Sequence, residues 1–398
     1  MQIGLVGKAS SGKSTFFKAS TLAEVEIANY PFTTIKPNSG VGYLRLKDPA
    51  IEFNKKSNPR EGFVLGDYRF VPIQIIDVAG LIEGAHEGKG MGLEFLNDLN
   101  QADLLIHIVD ISGSTNEKGE PVPPLSHDPS KDVKFLENEL DHWHLNILKK
   151  GWDKFVKTIR SKDNQNIKAA LAKQLSGLKI TEEIVEEAIK KLKLIHHPKE
   201  WSEDDLFQLA SELRKKTKPI IIAANKIDVQ GAEMNYHKLK KQFPELTIIP
   251  CSAESELALK EAAKHNLIKY IPGDPKFEII SESINEKQKK ALEFIKKNIL
   301  EKYKTTGVQD ILDKSVFEFL EYLAIFPGGV SNLEDSEGRV IPDCFLMPKD
   351  TTALDFAYKL HSDFGKNFIK AIDVKTKRTI GKDHKLNHMD IIEIAAGK

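Results

Sequence analysis

Gly7-Lys8-Ala9-Ser10-Ser11-Gly12-Lys13-Ser14 decides the fold of this 398-residue chain. The stretch reads G-x-x-x-x-G-K-S, the phosphate-loop pattern, and its surroundings are the ones that pattern requires. Ile3–Val6 before it is a short apolar run, as in a strand buried on both faces. Thr15–Ser20 after it reads as a helix. Glycines let the turn curl so that several backbone N–H groups converge on one phosphate. The helix N-terminus adds the positive end of its dipole. Lys13 is expected to reach β- and γ-phosphate oxygens, and Ser14 to place its hydroxyl on Mg²⁺. The remaining loop residues and Thr15 would wrap the phosphates.

Four further pieces follow in order. Thr33 and Thr34 close Tyr30–Thr34; a threonine hydroxyl in a switching loop can ligate Mg²⁺ while its amide senses a γ-phosphate. The apolar run from Val71 ends in Asp77-Val78-Ala79-Gly80, a D-x-x-G. Asp77 would hold Mg²⁺ through water, and the Gly80 amide would bond the γ-phosphate. Pro219–Ala224 runs into Asn225-Lys226-Ile227-Asp228, an N-K-x-D. The Asp228 carboxylate can accept from both N1–H and N2–H₂ of guanine, a pair of donors that adenine lacks. Asn225 would tie this loop to the phosphate loop, and Lys226 would lie along the base plane. Finally, Leu246–Pro250 leads to Cys251-Ser252-Ala253, whose backbone would meet guanine O6. Each later motif is weak alone, but all of them in this order specify a guanine nucleotide.

On these residues the chain resembles a Ras-like GTPase domain. Asn29–Thr34 is similar to the switch I segment of the Obg family. Asp77–Leu96 is similar to that family's switch II region, closest to the YchF-like branch. Near the C-terminus, Leu354-Asp355-Phe356-Ala357-Tyr358 with His361 resembles a TGS domain. The expected fold class is α/β: a Ras-like P-loop GTPase domain, an inserted all-helical subdomain and a C-terminal ubiquitin-like (α+β) TGS domain. The expected segments are 1–130 with 217–275 for the GTPase domain, 131–216 for the helical insertion, 276–317 for a helical connector and 318–396 for TGS.

Two departures from the family pattern matter. YchF-type loops commonly carry Pro-Asn where this chain has Ala9-Ser10; in several K⁺-activated relatives that asparagine helps hold the ion, so K⁺ dependence is left doubtful. YchF proteins also usually degrade N-K-x-D toward ATP, whereas Asn225–Asp228 is intact and reads GTP. The position after D-x-x-G, where efficient Ras-like enzymes carry a water-orienting Gln, is Leu81. Slow intrinsic hydrolysis and stimulation by a partner are therefore expected. His86 is the nearest residue with acid–base chemistry, beside its plainer reading as a packed or solvated loop histidine.

The span between D-x-x-G and N-K-x-D is far longer than one strand and helix need. It holds one buried strand, Ala102–Asp110, then a Gly/Pro/Ser-rich loop to about Ser130. Helical spacing follows at Val133, Leu136 and Leu140, continuing through Phe155, Ile159, Ile167, Leu171 and Leu175. Thr181 and Ser202, each followed by an acidic turn, read as helix caps. A mild lysine excess there reads as a solvated face or an RNA-contacting one. His196 and His197 lack a third metal ligand. Lys260–Tyr270 reads as the closing helix of the GTPase domain, and Ser283–Ile299 and Gly307–Leu320 as further helices. Tyr322–Phe326 with Asp343–Met347 reads as a hairpin, and Thr352–Phe364 as a helix ended by Gly365.

Lysine plus arginine and aspartate plus glutamate both number 58, which excludes a chain that is a polycation throughout. Two cysteines exclude a disulfide framework, and no run is long enough to span a bilayer. A cytoplasmic protein is expected, with no membrane or DNA partner. The TGS resemblance implies a ribosome or RNA partner, with Lys370, Lys375, Lys377 and Arg378 as candidate phosphate contacts. The leading expectation is a GTPase switch working between GTP and GDP. The alternatives are a YchF-type ATPase and a GTP-sensing scaffold for RNA or the ribosome with negligible hydrolysis.

Overall fold

The computed structural model describes residues 1–22, 38–78, 99–152, 156–157, 164–194 and 197–397. Thr33, Thr34, Gly80, Leu81 and His86 lie outside the described residues, as do Phe155, Ile159 and His196. The chain forms two compact units, Met1–Phe17 with Ile75–Ser252, and Lys18–Gln74 with Ala253–Lys398.

The first unit is built on a parallel sheet. Its strands are β1 (Gln2–Val6), the last residues of β4 (Tyr68–Asp77), β5 (Leu104–Asp110), β6 (Ile220–Asn225) and β7 (Thr247–Pro250), in the order β4-β1-β5-β6-β7. Ile3 pairs with Leu104, Leu105 with Ile220, and Ile221 with Thr247. Every residue of β5 is buried. That is why these strands read as predominantly apolar runs rather than as alternation. The parallel register brings Gly7, Asp77, Asp110, Asn225 and Cys251 to the carboxyl ends of their strands, the edge at which open α/β sheets bind ligands.

Between β5 and β6 lie the helices Ser130–Lys149, Asn164–Gln174, Glu182–Leu192 and Glu203–Thr217. They bury Leu148, Leu171, Val185, Leu206, Leu209 and Leu213 in a core of their own. Thr181 caps the third helix by accepting from Ile184 N, and Ser202 caps the fourth through a reciprocal box with Asp205. A buried polar clasp fastens the first of these helices to the last. Asp141 accepts from Ser211 Oγ at 2.8 Å and from Arg214 Nε at 2.7 Å.

In the second unit, β2 (Ser39–Lys47) lies beside β4, and β3 (Phe63–Leu65) forms a hairpin with it, Leu65 facing Tyr68. Arg69 on β4 is fully buried and donates to the carbonyls of Ile341 and Pro342 at 2.5 and 2.8 Å.

The C-terminal sheet has the order β11-β10-β14-β12-β13. Its strands are β10 (Tyr322–Pro327), β11 (Phe345–Pro348), β12 (Phe368–Asp373), β13 (Arg378–Ile380) and β14 (Ile391–Ala396). Helix Ala353–Leu360 covers it with Phe356, over Ile325, Met347, Ala371 and Ile392. β10 and β11 pair antiparallel, as the hairpin reading expects.

Two readings are corrected here. Lys260–Tyr270 is not one closing helix. The helix runs Ala253–Lys264, the chain reverses at Asn266 with φ 55°, and β8 (Ile268–Tyr270) pairs with β9 (Phe277–Ile279). Ile271–Pro275 is thus the turn of a hairpin. Gly365 does not end the helix from Thr352 either. That helix stops at Leu360, where His361 is extended, and Gly365 sits inside a short second helix, Ser362–Lys366. A Cβ on Gly365 would lie 2.2 Å from the Tyr358 ring, so the glycine serves close packing.

Candidate nucleotide-binding site

The phosphate loop runs from the end of β1 into the helix Lys13–Thr21. Its curl needs two left-handed residues, Ser10 at φ 61° and Gly12 at φ 93°. Ala9, Ser10 and Ser14 are exposed, while Ser11 is wholly buried and its Oγ has no hydrogen-bond partner among the described residues. The Lys13 ammonium pairs with the Asp77 carboxylate at the end of β4. Ser14 and Asp77 are thereby brought to the same loop, as the two metal-ligand candidates among the described residues.

The N-K-x-D loop is locked onto the phosphate loop. Asn225 Nδ2 donates to the Ser11 carbonyl at 3.0 Å. The packing is so close that a Cβ on Gly12 would fall 2.2 Å from that same nitrogen. On its other side the loop is tied to the strand that carries Ser252, with Cys251 N donating to Ala224 O at 2.9 Å and Ile227 N to Cys251 O at 3.1 Å. Ser252 and Ala253 are fully buried. Asp228 is half-buried, and its carboxylate makes no hydrogen bond among the described residues.

The loop lysines have unexpected partners. Lys226 sits at φ 62° and donates to Asp110 Oδ2 at 2.9 Å. Lys8 is buried, with its ammonium held by groups outside the phosphate loop. It donates to Thr115 O at 2.9 Å and pairs with Asp132 Oδ2 at 2.8 Å, and Asp132 Oδ1 in turn lies 2.9 Å from His127 Nε2. Lys8 also faces a cavity of about 630 Å³ lined by His107, Asp132, Phe135 and Asn138. Burial, reinforced by the charge of Lys8, pushes the His107 imidazole down to about 3, so it is neutral.

Asp110, Thr115 and Asp132 are absent from the sequence reading of the site. The available signal was a charged residue ending a largely apolar strand and followed by Ser112, Ser114 and Thr115.

Comparison with known proteins agrees with this geometry. Residues 2–146 match the family model of a 50S ribosome-binding GTPase, residues 223–329 that of an Obg-like GTPase YGR210-like, G4 motif-containing domain, and residues 336–396 the TGS domain. Over 396 residues the chain is 48% identical to an uncharacterized GTP-binding protein of Methanocaldococcus jannaschii, covering 99% of this chain and 98% of the relative. The chain belongs to the Obg-like GTP-binding proteins.

A solved structure, a GTP binding protein from Pyrococcus horikoshii, matches this Obg-like protein over 100% of both chains at TM-score 0.77 and 37% identity. A Buchnera aphidicola relative named ribosome-binding ATPase YchF is 28% identical over 381 residues, covering 94% of this chain and 88% of the relative. The first unit of the Obg-like protein therefore carries a Ras-like P-loop GTPase core, and its C-terminal sheet is a TGS domain. Among its described residues no helix is long and apolar enough to cross a membrane.

Proposed function

We propose that the protein binds GTP with Mg²⁺, hydrolyses it to GDP and phosphate, and uses the difference between the two states to control docking on a ribosome or another RNA assembly. The observation that carries this reading is the clasp of Asn225 on the Ser11 carbonyl. It fixes the distance between a phosphate cradle and a half-buried carboxylate, Asp228, that has its acceptors to spare. A guanine offers that carboxylate two donors, and an adenine leaves it unpaired at a cost large enough for strong discrimination.

Mg²⁺ fits the donor set. Ser14 offers an exposed hydroxyl and Asp77 a carboxylate, both hard oxygen donors. Among the described residues no cluster of three or more His, Cys, Asp or Glu forms a self-sufficient metal cage. Mg²⁺ would be held by these oxygens together with substrate phosphates, where it would neutralise charge on the β- and γ-oxygens.

The protein's own part is positioning. Lys13 exchanges the Asp77 carboxylate for phosphate oxygens, which frees Asp77. The loop amides hold the β-phosphate, and the Asn225 clasp keeps the base end in register. A water then attacks the γ-phosphorus, the bond to the β–γ bridging oxygen breaks, GDP leaves with that electron pair, and the water's proton passes to the released phosphate and on to solvent. Leu81 supplies no group to orient the water, so turnover is slow until a partner completes the site.

The test is titration of the nucleotide-free protein with fluorescent GDP, GTP and ATP analogues in Mg²⁺, followed by turnover with and without ribosomes. A guanine preference of ~100-fold that collapses in Asp228→Asn supports base selection. Ribosome-stimulated GTP turnover supports the switch. The name of the Buchnera relative favours a second reading, an ATPase; equal or tighter ATP binding would establish it in place of the first.

A further inference from the structure

Asp110 belongs to none of the nucleotide motifs, yet it is among the most heavily bonded side chains near them. It ends β5, is fully buried and has both carboxylate oxygens saturated. Oδ1 accepts from Ser112 N at 3.1 Å and Ser112 Oγ at 2.5 Å. Oδ2 accepts from Ser114 Oγ at 3.0 Å, Thr115 Oγ1 at 2.9 Å and Lys226 Nζ at 2.9 Å. Burial alone would raise the carboxyl group's pKa, but the donors from Ser112, Lys226 and Thr115 hold it below the usual carboxylate range, so it is charged.

Two features show what this charge does. The first is Lys226. A left-handed φ of 62° is an uphill backbone state for a residue with a Cβ. The ion pair to Asp110, 116 residues away in the chain, anchors that conformation and lays the lysine stem in one direction. The second is the loop that starts at Asp110. Its Thr115 carbonyl receives the Lys8 ammonium at 2.9 Å, and its Gly119, at φ 79°, packs so tightly that a Cβ would lie 2.6 Å from Ala9 Cβ. Asn116 stiffens the same turn by accepting from Lys118 N at 3.0 Å and from Glu120 N at 2.9 Å. One loop therefore grips two consecutive phosphate-loop residues and is rooted on the carboxylate that holds the base-reading lysine.

We propose that Asp110 is the positioning residue of the nucleotide site, orienting Lys226 against the base and seating the 112–119 loop on Lys8 and Ala9. Base grip and phosphate grip then share one buried anchor. The proposal rests on the nucleotide-binding reading above but not on the choice of guanine over adenine. The oxygens of Asp110 are taken up by Ser112, Ser114, Thr115 and Lys226, so it acts through Lys226 and the loop.

The experiment follows the dissociation rate of a fluescent-labelled GDP from full-length protein, a quantity unaffected by the fraction of protein that is folded. Asp110→Asn keeps the shape and removes the charge, and the expected result is release ~10–100-fold faster, as for loss of a charged hydrogen-bond partner. Lys226→Met alone should also speed release. If Asp110 works through Lys226, the double variant releases GDP much more slowly than the product of the two single effects predicts. Thr115→Val, which removes one donor but keeps the carbonyl that holds Lys8, gives a milder increase and serves if Asp110→Asn does not fold.

Release from Asp110→Asn within twofold of the parent overturns the proposal, and so does full multiplicativity with Lys226→Met. Should the parent prefer ATP, the same rates are measured with labelled ADP. Failure of the guanine reading and failure of this proposal are then separate results.

Discussion

Replacing Gly12 by alanine probes the lock between the two nucleotide loops directly. Gly12 has φ 93°, and its missing Cβ would lie 2.2 Å from Asn225 Nδ2. A side chain in the left-handed region costs about 1–2 kcal/mol. The overlap with Asn225 is relieved only if the amide leaves the Ser11 carbonyl, which it now reaches at 3.0 Å. Losing that buried hydrogen bond adds about 1–1.5 kcal/mol. The sum, ~2–3.5 kcal/mol, corresponds to roughly 30–300-fold weaker nucleotide binding at 1.4 kcal/mol per tenfold. Equilibrium titration with a fluorescent GDP analogue measures it. The decisive comparison is the same substitution in an Asn225→Ala background. There the new methyl group has room, only the backbone cost remains, and Gly12→Ala should weaken binding by roughly 5–30-fold. Equal losses in both backgrounds would refute the steric account and leave backbone strain alone.

Three further outcomes follow from buried charge. Asp141→Ala strips the main partner from Arg214, whose side chain is only 3% exposed, and should cost ~3 kcal/mol in urea unfolding of the full chain. His144, with Nδ1 donating to Leu140 O, is pushed by burial down to about 4, and His107 to about 3. Between pH 6.5 and 4 the unfolded chain binds these protons and the folded one does not, so stability falls as the pH falls, by up to ~1.4 kcal/mol per pH unit per histidine. Urea melts of His144→Phe across that range should show a shallower loss, and an unchanged slope would count against the assignment. Asp313 is shifted the opposite way. Burial raises it to about 7, so its neutral form favours the fold at low pH, and that contribution is lost as the pH rises from about 4 through 7. Asp313→Asn should therefore gain ~2 kcal/mol on its parent between pH 5 and pH 8.

Much of this architecture is legible in sequence because it is punctuated locally. Three of the parallel strands are apolar-rich runs that lead into Gly7, Asp77 and Asn225, and so these residues announce the carboxyl edge. The caps at Thr181 and Ser202 are equally local, since the acceptor and the amide it serves lie three residues apart. What escapes is set by partners distant in the chain. Nothing near Lys8 indicates that it turns to Thr115 and Asp132 rather than toward a phosphate. Nothing near Asp110 names Lys226. The hairpin Ile268–Ile279 is hidden because Ala253–Lys264 and the strand after it share an apolar periodicity too short to separate. Gly365 looks like a helix stop, but its value lies in the Tyr358 ring, which only the folded turn brings against it.

The parallel pairing of β5 with β6 has a kinetic consequence. Leu105 meets Ile220 only after the whole helical insertion has been made, and closing so long an interval is entropically costly while it remains unstructured. The insertion consists of local helices with their own apolar core, the kind of structure that forms early. Its clasp of Asp141 with Arg214 draws the helix that follows β5 onto the helix that precedes β6, and so shortens the effective gap before the sheet zips. During synthesis the insertion emerges before β6, in the order this sequence of events needs. Loosening the clasp would then slow formation of the sheet as well as weaken the helices, and the N-K-x-D loop, which follows β6, would be delayed with it.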